Sequence, residues 1–118
     1  MNTSGFQVAQ LRPGVTTAVN AYTASIVTEI RKIAICNTTG SSALFSFYHD
    51  DDGSTFDQST ALHYQEAVPA NTTTYINADM EAGGISISTG GQIGVQSDTA
   101  SALTFTLYGR TAEVARYE

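Results

Sequence analysis

The chain has 118 residues, with eleven acidic and five basic side chains for a formal net charge of −6, and it is 42% hydrophobic but only 14% charged. One domain of this size leaves no room for a separate cofactor domain. An acidic balance does not suit a nucleic-acid backbone or an anionic bilayer, so neither is an expected partner. Polarity comes instead from Thr, Ser, Asn and Gln, and with no Trp, ten Gly and many β-branched residues the composition predicts an all-β protein. No apolar run reaches membrane-spanning length, and the first residues lack the basic and apolar regions of a secretory leader, so a soluble chain is expected. Cys36 is the single cysteine, which excludes an intrachain disulfide.

Residues 1–14 carry Phe6, Val8 and Leu11 among polar neighbours and end at the turn pair Pro13-Gly14. They read as an N-terminal arm that orders on docking, with an edge strand of the same domain as the alternative. Val15 to Ser25 and Ile26 to Cys36 are two strand candidates, followed by the loop Asn37-Thr38-Thr39-Gly40-Ser41-Ser42. In the second, Val27, Ile33 and Ile35 share one parity and Ile26 and Ile30 the other, so a strict pleat cannot bury both sets on one side. A bulge near Glu29 to Lys32, or burial of both faces, would reconcile them.

Ala43, Phe45 and Phe47 alternate with Leu44, Ser46 and Tyr48, and His49-Asp50-Asp51-Asp52-Gly53-Ser54 then breaks the strand with a turn. Phe56 to Val68 suits a strand better than a short helix, and Thr72 to Asn77 reads as another strand. Ile85 and Ile87, the Gly90-Gly91 turn, and Ile93 and Val95 together predict a hairpin. Leu103, Phe105 and Leu107 face one way and Thr104, Thr106 and Tyr108 the other, the alternation of a strand with one face in the core. Residues 111–118 read as a tail with Val114 and Tyr117 as docking points. About eight strands with no crossover helix predict an antiparallel β-sandwich over residues 15–110, of jelly-roll or immunoglobulin-like type.

The run Asp50-Asp51-Asp52-Gly53 invites a calcium reading, since hard cations take several carboxylate oxygens. Placing Gly53 at the sixth position of an EF-hand loop leaves Tyr48 and Ser59 where carboxylates belong, so a turn built on Asp and Gly is the expectation, with no metal and no cofactor. His49 and His63 stand in no zinc-binding frame. His49 with Asp52 has the residue types of a small hydrolase, but a histidine beside a turn accounts for it too. Cys36, in an apolar stretch, reads as a buried small hydrophobe rather than a nucleophile. The glycine pairs lack the Lys-Ser or Lys-Thr of a phosphate-binding loop. N-glycosylation patterns begin at Asn2, Asn37 and Asn71 and reflect the abundance of Thr and Ser. The residues thus favour a non-enzymatic binding or structural role.

The segments Thr28 to Thr39, Tyr48-His49-Asp50-Asp51-Asp52-Gly53, Ala61 to Tyr64, Ala70 to Thr73, Gly91 to Gln96 and Leu103 to Leu107 resemble small β-sandwich virion proteins of tailed bacteriophages. In that group a strand ending at Asn precedes an Asp-rich turn, and a late glycine turn precedes the last strand. Gln92 stands here where an Asp often follows the glycine. The resemblance implies a virion structural protein made in the host cytoplasm. Its expected form is a capsid decoration, or cement, protein that trimerises and clamps neighbouring major capsid subunits, with Phe6, Val8, Leu11, Val114 and Tyr117 as contact candidates. A tail, neck or fibre component is the alternative. If it bound a host-surface carbohydrate, Tyr48, Asp50, Asp51, Asp52 and Tyr64 would be its ligand candidates.

Overall fold

The structure is a computed structural model that describes residues 6–78 and 84–111. Nine strands are seen among them: β1 Phe6–Leu11, β2 Val19–Thr23, β3 Thr28–Asn37, β4 Ala43–Asp50, β5 Ala61–Val68, β6 Thr73–Ile76, β7 Ile85–Ile87, β8 Gln92–Ser97 and β9 Leu103–Thr111. One sheet runs β1-β9-β3-β6, with β7 also paired to β3, and the other runs β2-β8-β4-β5. All pairings are antiparallel. Apart from β4 to β5 and β6 to β7, each strand is followed by one in the opposite sheet, which is the winding of a jelly roll with β7 added.

The two sheets close on each other because each strand holds one apolar row. Ile33 and Ile35 on β3 and Leu103, Phe105 and Leu107 on β9 meet Phe45 and Phe47 on β4 and Ile93 and Val95 on β8, all buried. Phe45 and Phe105 meet edge to face across the layers, 6.4 Å between centroids at 68°, a favoured aromatic geometry. The parity conflict in β3 is resolved by a bulge. Against β9 the register slips between Ile30 and Lys32, so Thr28 and Ile30 point inward before it and Ile33, Ile35 and Asn37 after it.

That slip corrects the expectation for Cys36. It falls on the outward parity of β3 and is half-buried rather than in the core. The predicted hairpin of Ile85–Ile87 with Ile93 and Val95 is also corrected. β7 pairs with β3 in one sheet, whereas β8 lies between β2 and β4 in the other. The glycine turn is a crossing between layers, held by Ala24: the Ala24 N–H donates to Gly91 O and the Gly90 N–H to Ala24 O. Residues 6–11 of the segment read as an arm form β1, paired with β9 at the sheet edge, and Val8, Ala9 and Leu11 pack on the core while Phe6 remains exposed.

Phe56 to Val68, read as one strand, begins as loop. A single turn of 3-10 helix at Gln58–Thr60, capped by the Asp57 side chain, leads into β5. Asn37 is internal, its amide bonded to Ser41 O, Val68 O and Thr39, so the glycosylation pattern there lies on a side chain the fold already uses. No buried side-chain polar atom among the described residues lacks a partner.

Candidate functional site

The Asp-rich turn closes one end of the sandwich. Asp50 ends β4, and its carboxylate accepts from the Thr55 N–H at 2.8 Å and the Asp52 N–H at 3.3 Å, so it works as a local turn brace. Asp51 accepts from the Ser88 N–H at 2.8 Å and meets His49 Nε2 at 3.1 Å, tying this turn to the β7–β8 crossing. The pairing His49 with Asp52 is therefore not formed. Among the described residues no group of three or more His, Cys, Asp or Glu is arranged to hold a metal ion.

These bonds set the acidities. The Thr55 N–H holds Asp50 below the ordinary carboxylate range, Ser88 does the same for Asp51, and the Ser59 hydroxyl and N–H do so for Asp57. Asp52 is pushed up, first by a hydrogen bond with the Asp50 carboxyl and then by its charge. The three lowered groups stabilise the fold above the unfolded value of about 3.9, and that contribution is lost as pH falls through their depressed folded values. Asp52 has the opposite sign: its ionised form opposes folding above its raised pKa, and the cost vanishes on protonation. Asp52→Asn should accordingly raise the melting temperature slightly at neutral pH and low salt, with the gain shrinking as pH falls through the raised folded pKa and gone below about 3.9. Melting curves of both proteins at the two pH values check this, and an equal gain at both would count against it.

Tyr48 is not an exposed ligand residue as expected. It is only 2% exposed, because the 51–60 loop folds back over the second sheet. Phe56 lies across Gly94, where a Cβ would strike its ring, and the Tyr48 ring sits 6.2 Å from that of Phe56. The Tyr48 hydroxyl donates to Gln96 Oε1 at 2.5 Å. Tyr64, in contrast, is 42% exposed and shares the outward parity of β5 with Leu62, 49% exposed. His63, between them, turns inward to the Phe45 ring and bonds Glu66 Oε2 at 2.7 Å. The expected contact residues Val114 and Tyr117 lie outside the described residues.

The most open aromatic surface is one that the sequence reading did not single out. On the outer face of the first sheet, Tyr75 is 58% exposed and Tyr108 is 39% exposed. Lys32 stands between them, its Nζ 5.6 Å from the Tyr75 centroid and its backbone in register with Tyr108. The bulge places Arg31 beside Lys32, and Glu29 accepts from Arg110 Nε at 3.0 Å and lies 3.7 Å from Arg31. Thr104, Thr106, Ala34 and Cys36 fill the rest of this face without charge. A signal was present: Tyr108 has the opposite parity to Leu107, and Tyr75 to Ile76. Their proximity through Lys32 depends on cross-strand register, which a single strand's pattern does not carry.

No protein-family model, curated protein or solved structure matches this chain.

Proposed function

We propose that the chain is a non-enzymatic structural protein of a tailed-phage virion, a capsid decoration protein that acts as a homotrimer and clamps neighbouring major capsid subunits. The observation that carries the reading is the outer face of the first sheet, where Tyr75 and Tyr108 stand exposed on either side of Lys32 and the uncharged Thr104, Ala34 and Cys36 lie alongside. Such a face offers a partner rigid aromatic contact area, and its carboxylate is already paired, Glu29 with Arg110. Jelly rolls occur in capsid and in lectin domains, so the fold accommodates the role. The sequence resemblance supplies the virion context.

A tail, neck or fibre component that binds carbohydrate is the second reading, favoured by the exposed Tyr64 on the same sheet as the acidic turn. Immunogold labelling of purified particles separates the two. Label over the head supports decoration, label on the tail supports the alternative, and particles that lack the chain refute both.

A further inference from the structure

The described charges are segregated by sheet. The outer face of the first sheet holds Arg31, Lys32 and Arg110 against Glu29, a net charge of +2 around two exposed tyrosines. The second sheet and its connections hold Asp50, Asp51, Asp52, Asp57, Glu66 and Asp98 against Arg12 alone, a net charge of −5, beside the exposed Leu62 and Tyr64. A basic face with two exposed tyrosines thus lies on one side of the sandwich, and an acidic side with the exposed Leu62 and Tyr64 on the other.

We propose that these two faces are halves of one contact, through which the Tyr75–Lys32–Tyr108 face of one copy docks on the Leu62–Tyr64 face of the next. Charge complementarity selects a second copy as the occupant, because each face repels itself and attracts the other. A contact between unlike faces is heterologous. Because the two faces lie on opposite sides of the sandwich, the contact continues as a row rather than closing three copies into a ring, so it is separate from the contacts of the proposed trimer. It cannot form a two-fold dimer. Four strands span roughly 19 Å and their length about 20 Å, and the 51–60 loop covers part of the second sheet, so the footprint is below about 400 Å² per partner, less than half of a standard interface. Association is therefore weak in free solution and is strengthened where copies are held side by side. The contact does not depend on the virion assignment.

Sedimentation velocity of the full chain up to millimolar concentration tests it. The wild type should self-associate, and less so as salt rises. Two variants each lose one face: Lys32→Glu with Tyr75→Ser, and Leu62→Ser with Tyr64→Ser. All four side chains are exposed, so both variants should keep the wild-type melting curve, and each alone should associate at least about tenfold more weakly. An equimolar mixture should form a one-to-one heterodimer that grows no further, since one intact basic face and one intact acidic face remain. A wild-type chain that stays monomeric at low salt would leave both faces to foreign partners and overturn the contact. So would a two-fold dimer, or folded variants that fail to pair when mixed.

Discussion

Gly109→Ala should destabilise the protein by about 3 kcal/mol, although it adds only one methyl group. Gly109 sits on β9 opposite Ile30, where the β3 register slips. A Cβ there would land on the Glu29 carbonyl oxygen, 3.0 Å from its carbon and 3.1 Å from Ile30 Cα. All of these are backbone atoms at the centre of a sheet, so no side chain can swing aside. The bulge itself would have to move, and the inward row of Thr28 and Ile30 with it. The same bulge sets Arg31 and Lys32 side by side on the outer face, so the variant should also weaken the salt-dependent self-association. Urea titrations check the first effect through a lower midpoint at an unchanged slope. A loss under about 1 kcal/mol would mean that the strands part there more easily than their packing implies.

Periodicity made the strands legible and left their partners open. Leu103, Phe105 and Leu107 declared β9, and the clash of parities around Ile30 and Ile33 called for either a bulge or burial of both faces, because side-chain alternation is local. Whether β7 pairs with β8 is a matter of layers. The glycine turn between them suits a hairpin and a crossing equally well, and the bonds to Ala24 that decide it come from a distant part of the chain. Tyr48 shows the same boundary at the site. Its outward parity was readable, but the Phe56 lid that buries it belongs to a loop with no period. The opposed charges of the two faces emerge only after each strand is assigned to a sheet. By sequence, Asp50 is only eighteen residues from Lys32, yet the winding puts their strands in opposite sheets.

Asn37→Ala should cost about 2–4 kcal/mol, the largest effect expected from removing a polar side chain here. Asn37 ends β3 at 1% exposure, with Nδ2 donating to Ser41 O at 2.8 Å and Val68 O at 3.0 Å. Its Oδ1 accepts from the Thr39 N–H at 2.9 Å and Thr39 Oγ1 at 2.8 Å. One amide therefore shapes the turn into β4 and ties it to the end of β5 in the opposite sheet. Alanine would strip a side-chain partner from each of those groups and leave a void beside Val68, itself fully buried. Asn37→Asp separates the two halves of the role. A carboxylate keeps the acceptor for Thr39 but donates nothing to the two carbonyls, which would also repel its charge. Its pKa would be raised above the unfolded value of about 3.9, so the penalty should be small in acid and grow as pH rises through the folded pKa. Unfolding free energies of both variants near pH 4 and pH 7 check the assignment. A pH-independent Asn37→Asp penalty would place the stabilisation in the Thr39 turn rather than in the bonds to Ser41 and Val68.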